Sequence, residues 1–299
     1  MAEEKKRIAV VTGANKGVGF GVVQQLSSHG ITVILTARNE QRGLEAVQKL
    51  KRLELDGEIL FHQLDVADQE SVNQFSHFIK NTFGKLDILV NNAGVSSGKP
   101  VENLDVKKYN ETLYNYVTIL SEVVWEEFFV ENSESTKQCF QINYYGVKRM
   151  CEAMIPFLRK SEEPIIVNVS SSSGLLKKIR NEWATGVLSD VESLSEEKID
   201  EVLKEYLKSM EMGASKWSAS INGYAISKAA VNGYTRLLSK KYPFVRVIAV
   251  CPGYVNTDMT FNTGILTVEE GADSVTNLAL HPNSYPSGKF FNSKEESPF

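Results

Sequence analysis

Tyr224 and Lys228 stand four positions apart in a stretch, 222–242, that reads as a helix, so their side chains leave one face and can act on a single ligand. A phenol with an unperturbed pKa of about 10 is a poor acid at neutral pH, whereas a neighbouring ammonium favours the phenolate and lowers that value. A tyrosine with a lysine one turn away is thus equipped to move a proton to or from a substrate oxygen. More hydroxyls lie in Val167-Asn168-Val169-Ser170-Ser171, at the carboxyl end of a predicted core strand, which is where open α/β sheets bind ligands. Metal chemistry has no comparable footing. His29, His62, His77 and His281 lack ligand spacing, and the scattered Cys139, Cys151 and Cys251 suit reduced thiols in packing roles.

Such groups need a sheet to position them. Short β-branched apolar runs at 8–11, 32–36, 58–64 and 87–90 alternate with helical stretches at 17–29, 40–53 and 69–83, the last opened by Asp68 as N-cap. Further strands at 165–169, 245–250 and 289–291, with helices at 136–159 and 222–242, complete the expectation. It is an α/β fold of Rossmann type, a doubly wound, mostly parallel seven-stranded sheet in one domain over 1–299. Two segments break the alternation and have no strand character. Residues 96–135 are polar and aromatic, with Tyr109, Tyr114, Tyr116, Trp125, Phe128 and Phe129. Residues 175–220 form a helical insertion before Tyr224, with Ile199, Val202, Leu203, Tyr206, Leu207 and Met210 on one stripe and a capping box of Ser193 with Glu196. Long connections of this kind are lids, substrate walls or interface elements. The tail 291–299 is charged and reads as loose.

The hydrophobic fraction of 42% and charged fraction of 23% are those of a globular protein, and no stretch approaches the ~20 apolar residues that span a bilayer. A net charge of -4 leaves no basic footprint for nucleic acid or anionic membrane, so small molecules remain as partners. Met-Ala-Glu-Glu-Lys-Lys-Arg runs directly into the first strand without an apolar targeting core, and the expected address is the cytosol.

Thr12-Gly13-Ala14-Asn15-Lys16-Gly17-Val18-Gly19 lies between the first strand and the first helix, where glycines permit a tight turn and let backbone amides approach a pyrophosphate. After the second strand, an acid would accept the ribose 2′-hydroxyl of NAD, but the residues there are Ala37-Arg38-Asn39. With Arg38 and Lys16 as cations suited to a 2′-phosphate, the expected cofactor is NADPH/NADP+.

The glycine spacing T-G-x-x-x-G-x-G resembles that of the short-chain dehydrogenase/reductase family, and the remaining motifs follow in that family's order over about 7–259. They are Asn91-Asn92-Ala93-Gly94, Val167 to Ser171, Tyr224 with Lys228, and Pro252-Gly253-Tyr254-Val255-Asn256-Thr257. The resemblance implies roles. Gly13, Asn15, Lys16, Gly17, Val18 and Gly19 cradle the dinucleotide. Asp65 with Val66 meets the adenine; Asn91, Ala93 and Gly94 border the adenosine ribose; Pro252, Gly253, Val255 and Thr257 hold the nicotinamide amide. Lys228 binds the nicotinamide ribose and lowers the Tyr224 pKa, Tyr224 donates the proton, and Ser171 steadies the substrate oxygen, with Ser170, Ser172 and Ser173 within one register step. Asn143, in Gln141-Ile142-Asn143-Tyr144-Tyr145-Gly146, holds a water leading to the lysine.

From Ser171 to Tyr224 the interval is 53 residues, far more than most members have. That insertion resembles the monomeric carbonyl reductases and, more closely, the plant terpenoid and alkaloid ketone reductases of the neomenthol dehydrogenase and salutaridine reductase type. In that group it covers the face through which other members form tetramers, which implies a monomer, the alternative being a new interface. The implied activity is reversible NADPH-dependent reduction of a ketone to a secondary alcohol, with an apolar cyclic terpenoid such as menthone first, a broad range of carbonyls second and an alkaloid ketone third. Trp183, Tyr254 and Phe261 are expected to help enclose the ketone. A relative in the group that reduces a C=C bond carries glutamate at the tyrosine position, so Tyr224 argues for carbonyl chemistry. Rival readings are an alcohol dehydrogenase working oxidatively and a catalytically silent dinucleotide sensor.

Overall fold

The computed structural model describes residues 6–102, 105, 108, 111–112, 128–212, 217 and 221–299. Its strands are β1 (Ile8–Val11), β2 (Thr32–Ala37), β3 (Ile59–Gln63), β4 (Ile88–Asn91), β5 (Gly98–Pro100), β6 (Phe129–Glu131), β7 (Ile165–Val169), β8 (Arg246–Cys251), β9 (Phe290–Asn292) and β10 (Glu295–Ser297). Successive strand residues face opposite sides of the main sheet, and both sides are apolar. Val10, Ile34, Leu89, Ile166 and Val247 pack into one core, while Val11, Val33, Val90, Val167 and Val250 pack into the other. Helices α1 (Gly17–Ser28), α2 (Glu40–Lys51) and α3 (Gln69–Thr82) connect the first four strands, and Asp68 caps the third by accepting the Glu70 amide at 3.1 Å.

The main sheet runs β3-β2-β1-β4-β7-β8-β9 in parallel, with β10 antiparallel on the outer edge. It therefore has eight strands, not the expected seven. The tail that reads as loose contains the eighth, held by Lys289 on Glu296 at 2.9 Å. Its charge suits an edge strand, whose outer side faces water, and a composition argument mistakes that for looseness. A second correction falls in 96–135, where β5 and β6 pair as a small antiparallel sheet. Strands of three residues are too short for their alternation to be read.

The helix expected over 136–159 is broken at Tyr144 into α4 (Ser133–Asn143) and α5 (Tyr145–Leu158). No glycine or proline stands at the break, which directly follows Asn143. The insertion contributes α6 (Glu182–Ser189) and α7 (Glu196–Glu211), followed by α8 (Gly223–Lys241) and by α9 (Val268–Leu280), which the sequence reading did not anticipate. The cap of α7 is Ser195, not Ser193: Ser195 Oγ accepts the Lys198 amide at 3.3 Å, while the Ser193 hydroxyl is turned to Asp190. Ile199, Val202, Leu203 and Tyr206 of α7 are buried in the same core as residues of α4 and α8. Among the described residues no helix is long and apolar enough to cross a membrane.

Candidate active site

The strand order reverses between β1 and β4, and the loops leaving their carboxyl ends are tied together there. Thr12 Oγ1 accepts the Asn92 and Ala93 amides, each at 3.0 Å, and Asn92 Nδ2 donates to the Thr12 and Gly13 carbonyls at 2.9 and 3.1 Å. Gly13 has φ +62°, and a Cβ there would lie 2.8 Å from Ala93 Cα, so the two loops meet only with glycine at this position. The turn forms one wall of a cavity of about 1620 Å³, to which Gly13, Asn15, Lys16, Gly17 and Val18 all contribute. Gly19 is buried behind that wall against Asn92. Asn91 does not reach the cavity either. Its Nδ2 donates to Asn168 Oδ1 at 2.8 Å inside the sheet, and Asn168 passes the bond on to Thr235 Oγ1 at 2.9 Å. Asn92, Ala93 and Gly94 are the members of that motif on the wall.

At one end the cavity is lined by Arg38, Asp65 and Val66, and by Arg42, which the sequence reading missed. Asn39 accepts the Arg42 amide at 2.9 Å as N-cap of α2, so the first turn of that helix brings the second arginine to the same end. Asp65 Oδ1 accepts the Ala67 amide at 2.9 Å. Lys16 Nζ pairs with Asp258 at 2.6 Å, which links the glycine-rich turn to the loop after β8; both side chains are exposed. That loop supplies Pro252, Gly253, Val255 and Thr257 to the wall.

At the other end lie Ser171, Tyr224 and Lys228. Ser171 lies beside the Tyr224 phenol, and its Oγ accepts the Ser173 amide at 3.1 Å. Ser170, its rival by register, is spent on Asn232 Oδ1 at 2.6 Å. Burial, and then the neighbouring Cys251, push the phenol well above its ordinary pKa, against the lowering effect of Ser171. Lys228 is 4% exposed, and burial pulls its pKa down to about 8. Its Nζ donates to the Val169 carbonyl at 2.8 Å and lies 5.5 Å from the centre of the Tyr224 ring. Where the lysine is expected to lower the Tyr224 pKa, burial raises it. Asn143 is fully buried and off the cavity wall. Its Oδ1 accepts the Val95 amide at 2.9 Å, and its Nδ2 donates to Val95 O and Ser227 Oγ at 3.0 Å each, so the side chain fixes the backbone beside Gly94. Tyr254 and Phe261 line the cavity, whereas Trp183 is 43% exposed on α6 and does not. Tyr109, Tyr114, Tyr116 and Trp125 lie outside the described residues.

A phenol that holds its proton firmly, beside a serine hydroxyl on the wall of a large cavity, suits the gain or loss of a proton at a ligand oxygen. On a sheet of this topology, that is the equipment of an oxidoreductase. The chain belongs to the short-chain dehydrogenase family, whose model, described as short chain dehydrogenase, matches residues 7–120 and 209–264. It is 52% identical to a (+)-neomenthol dehydrogenase of Arabidopsis thaliana over the whole of both chains. Among solved structures it resembles the menthone neomenthol reductase of Mentha piperita, with a TM-score of 0.85 and 43% identity over 97% of this chain and 100% of that one. It also resembles the salutaridine reductase of Papaver somniferum, with a TM-score of 0.83 and 42% identity over 96% of this chain and 99% of that one.

Proposed function

We propose that the protein reduces a small apolar cyclic ketone, a monoterpenone such as menthone, to its secondary alcohol with NADPH, reversibly and as a monomer. The observation that carries this reading is a single cavity lined both by Arg38 and Arg42 and by Ser171, Tyr224 and Lys228. The residues fit a dinucleotide. The glycine-rich turn lines the cavity with Gly13, Asn15 and Gly17, and Arg38 after β2 and Arg42 in the first turn of α2 add two guanidinium groups to the same lining. When bound, the reduced nicotinamide supplies the hydride. Tyr224 gives its proton to the carbonyl oxygen, and Ser171 donates a hydrogen bond to the same atom as negative charge develops there. Lys228, held by the Val169 carbonyl beside the phenol, favours the phenolate left behind, and Asn143 fixes the backbone at Val95 next to it. The names of the relatives favour a monoterpenone over other ketones.

The test is NADPH consumption by the purified protein against a panel of cyclic ketones, with NADH and Tyr224→Phe in parallel. Turnover of a monoterpenone, weak with NADH and reduced about a thousandfold or more in the variant, is the expected result. Equal rates with NADH would overturn the cofactor assignment, and a fully active Tyr224→Phe would overturn the mechanism.

A further inference from the structure

The amides in the first turn of a helix have no partner within it. In α8 the Ala225 amide is taken by the N-cap Asn222 at 2.9 Å. The two before it are taken by side chains from elsewhere in the chain. Gly223 N–H donates to Glu131 Oε1 at 2.8 Å, and Tyr224 N–H donates to Ser97 Oγ at 2.9 Å. Ser97 directly precedes β5 and Glu131 closes β6, so both acceptors come from the small antiparallel sheet of the 96–135 segment. Ser97 is buried, and both residues line the cavity beside the phenol.

Glu131 makes further contacts. Its Oε1 also accepts from Thr136 Oγ1 of α4 at 2.8 Å, and its Oε2 faces the Tyr206 hydroxyl of α7 at 3.5 Å. A carboxylate is favoured at this end of a helix by the helix dipole as well as by the amide. Its approach depends on the residue at 223, because a Cβ there would lie 2.6 Å from both Glu131 Oε1 and Thr136 Cγ2. Neither Ser97 nor Glu131 belongs to any motif that carries the catalytic reading.

We infer that Ser97 and Glu131 are positioning residues that couple the small sheet to the catalytic tyrosine. With the sheet seated, the first turn of α8 is held at two successive amides and the phenol stays aimed at the oxygen position it shares with Ser171. With the sheet displaced, those amides lose their partners and the aim is lost. A substrate that packs against the small sheet thereby steadies its own proton donor. The inference rests on the reading of Tyr224 as the acid, so its test includes a readout that needs no turnover.

The experiment compares the full-length wild type with Glu131→Ala, Ser97→Ala and the conservative Glu131→Gln, which keeps the accepting Oε1. Hydrogen exchange is followed in peptides spanning 222–226, alongside steady-state kinetics with NADPH and a ketone. Expected are faster exchange in both alanine variants and a kcat reduced about tenfold to a hundredfold, with KM for NADPH little changed and most of kcat restored in Glu131→Gln. Wild-type kcat with wild-type protection in both alanine variants would overturn the inference. So would a kcat that falls only in step with cofactor affinity and melting temperature, without rescue by glutamine. A wild type that turns over no ketone but shows Glu131-dependent protection counts against the functional reading and for the coupling.

Discussion

Lys228 illustrates what a reactive group costs the residue scale of this fold. Burial lowers its pKa to about 8, against about 10.4 for an unfolded chain. Between those values the unfolded chain binds more protons, so this group's contribution to stability improves as pH rises from about 8 to above 10, and at neutral pH the buried ammonium opposes folding. Lys228→Met is therefore expected to be inactive yet to melt higher than the wild type at pH 7, with the gain shrinking as pH approaches 10. Melting curves across that range check it, and a variant that melts lower throughout would mean that the bond to Val169 O outweighs desolvation. Such a trade of stability for chemistry is common at active sites.

At the scale of elements, the docking of α7 combines an apolar stripe with one shared carboxylate. Glu196 accepts from Lys148 at 2.7 Å and from Lys241 at 3.0 Å, which clips the insertion to α5 and α8. Burial alone would raise its pKa, but the two lysines outweigh it and hold the carboxyl below its ordinary value. A depressed folded-state pKa gives stability that is present above the unfolded value and lost as pH falls through the folded one. Glu196→Gln should cost about 1 kcal/mol near neutrality and flatten the acid side of the stability curve below about pH 4, measured by urea unfolding as a function of pH. How far these elements could be read in advance follows from their physics. Buried β-branched runs announce the long strands, and the α7 stripe announces its buried face. Three-residue strands have no period, and nothing in the residues at Tyr144 marks the break there. The site divides in the same way. Tyr224 and Lys228 are legible from their four-residue spacing and Ser171 from its motif at the end of a core strand, whereas Glu131 and Ser97 are proposed to act only through amides that folding brings to them.

For the whole molecule, the packing of α7 against α4 and α8 supports the proposed monomer. Sedimentation should give a species of 33.4 kDa whose mass does not depend on protein concentration. A concentration-dependent dimer would instead make the insertion an interface. The opposite margin of the sheet carries a different safeguard. Strand β9, with Phe290 and Phe291 buried, would end the sheet with a row of unpaired amides and carbonyls if β10 did not cover it. A row of that kind is a template on which a second chain can polymerise, and the acidic Glu295 and Glu296 of β10 make a poor template in their turn. The three residues of β10 are not themselves on the cavity wall, and their loss is expected to bear on colloidal behaviour more than on catalysis. A chain cut after Ser293, which keeps the residues that line the cavity, should still bind dinucleotide while scattering light increasingly with time and concentration, a fault that would appear in storage before it appeared in an assay.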